Sequence, residues 1–212
     1  MNTPTSACVE LTVDASIAGR KTRADWQALR GRLAQGEAHW DEAFNDFYRQ
    51  RLESRYLRPI MAIQQLGALE GEGFAIAALQ CTLIEFLEST EQGINYVHRK
   101  PDPTLFQYSR SGEIFKSFLT RRRPFSDCFD EEAATSFYEG IRCGLLHEAR
   151  THNGWRIWGR TALKGQIADV ANKVVNRDSF QAALLQYIAE YGARLPKEPD
   201  LQAAFFRKFD VL

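Results

Sequence analysis

The sequence predicts an all-α fold, a helical bundle that carries one small β-hairpin. Segments in which apolar residues recur at helical spacing cover most of the 212 residues, and they predict five to seven helices. Residues 73–93 are apolar around most of the helix circumference, as expected of a central, buried helix. Asn153-Gly154, followed by the alternating residues 155–158, is typical of a tight turn that leads into a strand.

Length, composition and charge are those of an ordinary globular protein. Lys plus Arg and Asp plus Glu each number 27, and apolar residues make up 44% of the chain. Zero net charge is untypical of histone-like binders, although it leaves room for a local basic patch. We expect a flexible leader at residues 1–21, with a short alternating strand inside it, and a single domain over residues 22–212. The alternating residues are Val9, Leu11 and Val13.

The chain is expected to be cytoplasmic and not to enter a membrane. Its first residues lack the basic start and apolar run of a signal peptide. The longest apolar-rich stretch is interrupted by Gln80, Thr82 and Glu85, which makes it too short and too polar for a membrane span. The cysteines form no C-x-x-C pair, so reduced thiols are expected, and neither a metal nor a cofactor is predicted. They are Cys8, Cys81, Cys128 and Cys143.

The first two helices have clear start and stop signals. Thr22 followed by Asp25 resembles a capping box for a helix that ends near Gly36. Its buried face is predicted to hold Trp26, Leu29 and Leu33. A long helix follows from about Glu37, and Pro59 is expected to break or kink it.

The third and fourth helices flank a proline-containing loop. The central helix is followed by a loop over residues 99–112 and then by an amphipathic helix that ends in Arg121, Arg122 and Arg123. Cations in a last turn suit the negative end of the helix dipole. The same run is also suited to contacting RNA phosphates, and we keep both interpretations of it.

The fifth helix begins at Asp130, a favourable N-cap, and the chain closes with two more helices. One of these is predicted to be capped by Ser179 and to close near Pro196, and the other to occupy residues 199–212. The apolar stripe of the fifth helix is predicted to consist of Ala134, Phe137, Tyr138, Ile141 and Leu145.

Arg142 and His147, late in the fifth helix, are the candidate catalytic pair. In an ideal helix they lie about 140° apart and ~7.5 Å along the axis, so they can share a site only if the helix end distorts or a second helix completes the site. A two-fold dimer would supply that helix. Histidine can take the proton of a ribose 2′-hydroxyl, and arginine can stabilise charge on the adjacent phosphate. This chemistry needs no metal and yields a 2′,3′-cyclic phosphate.

Residues 141–149, "IRCGLLHEA", resemble the R-x4-H signature of the HEPN superfamily of α-helical domains. The preceding "LIEFLES" and the following "THNGW" fit the same family, and the resemblance covers roughly residues 73–195. It implies a bundle that dimerises through the motif helices and a metal-independent endoribonuclease of the toxin–antitoxin, anti-phage or RNA-processing kind. Arg142 would bind the scissile phosphate and His147 would act as general base or acid. RNA, a second copy and an antitoxin protein are the implied partners.

Other members of the superfamily only bind RNA, a nucleotide or a protein, and this remains the alternative function. Cys143 motivates it, because active members often carry asparagine directly after the arginine. A third interpretation is purely structural, with Arg142 paired to Glu85 or Glu139 and His147 stabilising the helix end.

Three neighbours are predicted to support the site, and each has a second interpretation. Glu85 either partners Arg142 or lies on an exposed edge. Tyr138 either hydrogen-bonds near a phosphate or packs as a core aromatic. Cys143 either fills a close helix contact or joins His147, one turn later, in a zinc site. Further zinc ligands would have to come from Cys81, Cys128 or His152.

Overall fold

A computed structural model describes residues 16–33, 36, 38–66, 70–159 and 165–212, and in this part of the chain six helices pack around a central seventh. The prediction of a largely helical fold is confirmed. No helix among the described residues has the length and apolar character needed to cross a bilayer. The helices are α1 (Arg23–Arg30), α2 (38–65), α3 (Glu72–Gln92), α4 (Ser111–Arg121), α5 (131–148), α6 (Arg177–Arg194) and α7 (Pro199–Phe209).

In the described ranges, short strands form three small sheets beside the helices. The antiparallel pair is β1 (Ser16–Ala18) with β2 (Lys21–Thr22), and the parallel pair is β3 (Asn95–Tyr96) with β4 (Gln107–Tyr108). The third sheet has the order β5-β7-β6, in which β5 (Arg156–Trp158) runs parallel and β6 (Ala168–Asp169) antiparallel to β7 (Val174–Asn176).

The N-terminal hairpin shortens the predicted flexible leader. Ile17 and Ala18 are buried in the core, and Arg51 of α2 donates a 2.6 Å hydrogen bond to the carbonyl oxygen of Ile17. The folded domain therefore begins before residue 22. The predicted strand at Val9, Leu11 and Val13 lies outside the described residues.

Helix α1 is capped as predicted. The Thr22 amide donates to the Asp25 carboxylate at 2.7 Å, and the Asp25 amide donates to the Thr22 hydroxyl at 3.3 Å. Trp26, Leu29 and Leu33 are buried, and the Trp26 indole donates to Asp210, just after α7, at 3.0 Å. The helix ends at Arg30, earlier than the predicted end near Gly36.

Helix α2 continues through Pro59, where a break or kink was predicted. Two segments, Ala43–Arg49 and Glu53–Leu57, have the wider π-helical turn, and Arg58–Gln65 is α-helical again. Proline lacks an N–H, and the wider turn just before it shifts the hydrogen-bond register so that the helix can continue.

Helix α3 is the central helix, as predicted, and helix α7 closes its C-terminal end. Gly93 ends α3 at a positive φ of 65°, and a Cβ there would lie 2.5 Å from the Ala204 Cα. Arg207 donates to the carbonyl oxygens of Gln92 and Gly93, while Lys208 donates to the Ser89 hydroxyl at 2.9 Å. These cations of α7 compensate the negative end of the α3 dipole.

Helix α5 starts at the predicted cap, because the Asp130 carboxylate accepts from the Ala133 amide at 2.8 Å. Its middle, Tyr138–Cys143, is π-helical. On one flank Gly140 and Gly144 allow the following chain to fold back closely, and the His152 amide donates to the Gly140 carbonyl oxygen at 2.7 Å.

The prediction of a β-hairpin directly after α5 is wrong in its strand pairing. Asn153 and Gly154 do form a turn with positive φ values of 54° and 82°. The strand that follows it, β5, pairs in parallel with β7 instead of with a strand before the turn. The hairpin is the later pair β6–β7.

Helix α6 has a different cap from the predicted Ser179. The Asn176 side chain, at the end of β7, accepts from the Asp178 and Ser179 amides at 3.1 Å each. Asn176 has the extended backbone that an N-cap requires, whereas Ser179 is already inside the helix.

Candidate functional site

A groove of about 340 Å³ lies between α3 and the C-terminal half of α5. It brings together two of the predicted site residues, Arg142 and Glu85, which come from different helices. The lining residues described are Ala78, Cys81, Thr82, Glu85, Arg142, Leu145 and Leu146.

Helix α3 forms the floor of the groove with small or short side chains. Ala78 and Thr82 lie one turn apart on its exposed flank, and the Thr82 hydroxyl donates to the Ala78 carbonyl oxygen at 3.0 Å. Cys81 lies beside them, and burial raises the pKa of its thiol to about 12. The Cys81 thiol is therefore neutral at physiological pH and contributes an apolar surface.

Arg142 is a half-buried cation without a carboxylate partner. Its guanidinium lies 5.4 Å from the centroid of the Tyr138 ring, at a distance typical of a cation–π contact. Among the described residues, no carboxylate oxygen lies within 4.0 Å of its nitrogens. Its N–H donors are therefore free of any carboxylate in this part of the structure.

Glu85 is held by a tyrosine and not by Arg142. The Tyr108 hydroxyl donates to Glu85 Oε1 at 3.0 Å. Burial, followed by the charge of Glu85, raises the pKa of Tyr108, so this hydroxyl remains a donor. The predicted direct partnership of Glu85 with Arg142 is therefore not a closed ion pair in the described structure, although both side chains line one groove.

Tyr138 packs as an aromatic residue against its neighbours, one of the two interpretations that the sequence left open, and its role near a phosphate stays a prediction. Its ring packs at 5.3 Å from the ring of Phe115, and at Gly112 an added Cβ would approach it to 3.0 Å. Burial raises the pKa of Tyr138, and the positive charge of Arg142 opposes that shift. The half-buried Tyr138 ring thus packs against the Arg142 guanidinium. Cys143, the residue after Arg142 in α5, is also half-buried.

His147 does not lie in the groove of its own chain. It is exposed in the last turn of α5, and within the described ranges it has neither a hydrogen-bond partner nor a carboxylate within 4.0 Å. One chain therefore presents the cation in a groove and the imidazole on an adjacent open surface.

The arginine run predicted to bind RNA divides into an inner and two outer residues. Arg122 binds Glu88, which is fully buried, through hydrogen bonds of 2.7 and 3.0 Å. Its partly exposed guanidinium is held by two buried carboxylates, Glu88 and Glu91, which argues against its assignment as a phosphate-binding residue. Arg121 and Arg123 are exposed, and their role in RNA binding stays a prediction.

The run also lies far from Arg142. Arg121 lines a surface hollow together with Asp127, Asp130 and Glu131, at the N-terminal end of α5. Arg142 follows Asp130 by twelve positions, about 18 Å along a helix axis. The carboxylates around Arg121 also reduce the positive potential that RNA would meet there.

A buried ion network, which the sequence patterns did not predict, holds α3, α4 and α6 together. Glu91 accepts from the Tyr187 hydroxyl and from Arg194, each at 2.7 Å. Glu88 accepts from the Ser117 hydroxyl at 2.7 Å as well as from Arg122. Every charge in it has a partner, so the network is structural. Its sequence signal is the pair of glutamates in an otherwise apolar helix.

The described residues form neither a metal-binding cluster nor a disulfide bond. In the described ranges, no three His, Cys, Asp or Glu side chains lie close enough together to hold a metal ion. Cys81, Cys128 and Cys143 are free thiols, and Cys8 lies outside these ranges. Comparisons with protein-family models, curated proteins and solved structures find no match for this chain.

Proposed function

We propose that the protein is a cytosolic, metal-independent endoribonuclease of the HEPN type that acts as a homodimer. The observation that carries the proposal is the half-buried Arg142 guanidinium, which faces an open groove without a carboxylate partner. A permanent cation of this kind, supported by an aromatic ring and bordered by apolar walls, is suited to a phosphate group.

The second catalytic group would come from a second copy of the chain. His147 and Leu146 are both exposed next to the groove, and Leu146 exposes 63% of its surface. A two-fold contact through this end of α5 would cover Leu146 and bring the partner's His147 towards Arg142. The same contact would exclude water from around the phosphate, which strengthens the electrostatic effect of the guanidinium.

The reaction would be an intramolecular transesterification of RNA. The neutral imidazole of His147 takes the proton of the 2′-hydroxyl, whose oxygen then attacks the neighbouring phosphorus. Arg142 stabilises the negative charge that develops on the phosphoryl oxygens. The bond to the 5′-oxygen breaks, that oxygen receives a proton, and a 2′,3′-cyclic phosphate remains. A toxin or anti-phage role, with an antitoxin as protein partner, fits such an activity.

Cleavage of mixed RNAs in the presence of EDTA tests the proposal. The wild-type protein should cleave, and Arg142→Ala and His147→Ala should each lose at least about 100-fold in rate. Arg32→Ala and His98→Ala remove exposed residues of the same types elsewhere and should keep the wild-type rate. Cleavage that persists undiminished in either site variant contradicts the assignment.

A second candidate function is an RNA- or nucleotide-binding module without catalysis. Two observations favour it: His147 lies outside the groove of its own chain, and Cys143 follows Arg142 where active members often carry asparagine. Under this alternative, the protein binds RNA in a manner that depends on Arg142, does not cleave it, and is indifferent to His147→Ala.

A further inference from the structure

We propose that the groove between α3 and α5 is a guanine-selective subsite, in which Glu85 binds the Watson–Crick edge of the base and Arg142 binds its phosphate. The phosphate contact rests on the proposed function, whereas the base contact follows from the lining of the groove alone.

The shape and polarity of the groove suit a nucleobase with an attached phosphate. Its volume of about 340 Å³ lies within the range of small-molecule sites. Ala78, Cys81, Leu145 and Leu146 provide apolar surface for the faces of a planar ring. The two charged lining residues, Glu85 and Arg142, are not in contact with each other, which leaves room for a ligand with one polar edge and one anionic group.

The polar atoms of α3 in the groove are acceptors. An ionised carboxylate such as Glu85 has no proton to donate, and its Oε1 is oriented by the Tyr108 hydroxyl at 3.0 Å. The hydrogen of the Thr82 hydroxyl is used by the Ala78 carbonyl oxygen at 3.0 Å, so that Thr82 too can only accept. A ligand edge that faces α3 must therefore carry donors.

Among the four bases of RNA, guanine alone has two adjacent donor groups, N1–H and N2–H₂, on its Watson–Crick edge. A carboxylate can accept from both at once. Adenine and cytosine have one amino group next to a bare ring nitrogen, and uracil has one N–H between two carbonyl oxygens. Those acceptor atoms would face the acceptors Glu85 and Thr82, and unpaired acceptors in a partly closed site are costly.

The test is calorimetric binding of the four nucleoside 3′-monophosphates to the full-length protein. The 3′-monophosphate of guanosine should bind about tenfold or more tightly than the other three, the size of discrimination that a bidentate contact provides. Glu85→Gln should remove this preference while changing the other three affinities less than about twofold. Arg142→Ala should weaken all four alike. Glu139→Gln, an exposed carboxylate on α5, is the matched control and should behave as wild type.

Tyr108→Phe keeps the carboxylate but removes the hydroxyl that orients it, and it should reduce the guanine preference about threefold. This second variant keeps the test valid if Glu85→Gln does not fold. Equal affinities for the four nucleotides, or an unchanged guanine preference in the folded variants, overturns the proposal. RNA cleavage that needs Arg142 but shows no base preference would support the ribonuclease function and contradict the guanine-selective subsite. Guanine-selective binding without cleavage would support the subsite and contradict the ribonuclease function.

Discussion

The Arg142 guanidinium lies 5.4 Å from the centre of the Tyr138 ring, one turn earlier on the same helix. This contact orients the guanidinium without neutralising it. An aromatic face attracts a positive charge but has no net charge of its own. In contrast, the guanidinium of Arg122 is bound by two carboxylates, at 2.7 Å from Glu88 and 3.3 Å from Glu91. Carboxylates thus neutralise Arg122, whereas in the described part of the chain none lies within 4.0 Å of the Arg142 guanidinium.

The contact predicts how substitutions of Tyr138 affect RNA binding. Tyr138→Phe keeps the aromatic face and should bind a single-stranded RNA within about twofold of wild type. Tyr138→Ala removes the face and should weaken binding about fivefold, in line with ~1 kcal/mol for such a contact. Fluorescence anisotropy with a labelled RNA measures both. Equal losses in the two variants would show that the hydroxyl, and not the ring, is the important group.

The arginine run predicts two unequal effects on stability. Arg122→Met leaves the buried Glu88 carboxylate without its cation and should lower the free energy of unfolding by about 3–5 kcal/mol. Arg123→Met removes a side chain that is 83% exposed and should change it by less than about 0.5 kcal/mol. Urea unfolding of the two variants measures the difference. Similar stabilities for both would contradict the assignment of Arg122 to the core network.

The close packing of the chain against Gly144, near the end of α5, predicts that a larger residue there lowers stability. A Cβ at this position would lie 2.5 Å from the Arg150 carbonyl oxygen and 2.7 Å from the His152 ring. Gly144→Ala should therefore lower the free energy of unfolding by about 1–3 kcal/mol. Gly31→Ala is the control, because there the nearest atom would be 3.8 Å from the new Cβ. A Gly144→Ala protein as stable as the control would mean that residues 150–152 do not pack against α5.

Lys208 predicts a pH dependence of stability. Burial, followed by the charge of Arg51, lowers the pKa of Lys208 to about 8 from the usual 10.5. Between these two pH values the unfolded chain binds more protons than the folded one. The contribution of Lys208 to the free energy of unfolding therefore rises with pH. Below pH 8 the full cost of burying the charge is present. The change across the window is up to about 3 kcal/mol.

Lys208→Met removes the titrating group, and comparing it with wild type isolates this effect from other titrations. The difference in unfolding free energy between the two proteins should shift in favour of wild type as pH rises from 8 to 10.5. Urea unfolding at several pH values across that range measures the shift. A difference that stays constant would show that Lys208 titrates normally in the folded protein.

Local chemistry explains which structural elements could be predicted from the sequence. The caps at Thr22 and Asp130 and the turn at Asn153-Gly154 depend on neighbours within a few residues, and all three are found. The pairing of β5 with β7 depends on residues far apart in the chain, so it was predicted wrongly. The burial of Ile17 and Ala18 likewise follows from tertiary contacts that no local pattern reveals.

The candidate site was predictable only in part, for the same reason. Arg142 could be named from the motif, and Glu85 from its position as a carboxylate in a largely apolar helix. Thr82 and the hydroxyl of Tyr108 were missed as site residues, and Cys81 was considered only as a zinc ligand, because their relation to Arg142 depends on how α3, α5 and β4 pack. One signal was present in the sequence: Ala78, Thr82 and Glu85 recur at helical spacing, as small or polar residues along the most apolar helix.

We propose that Arg142 of one copy and His147 of another form one site for RNA cleavage. The decisive experiment mixes equal amounts of Arg142→Ala and His147→Ala chains, which are unfolded and refolded together. Mixed dimers would contain one intact site, so RNA cleavage in EDTA should return to about a quarter of the wild-type rate, because about half of the dimers are mixed and each has one of two sites. Cleavage by the mixture that stays at the level of the separate variants, although the refolded chains form dimers, would contradict a site shared between copies.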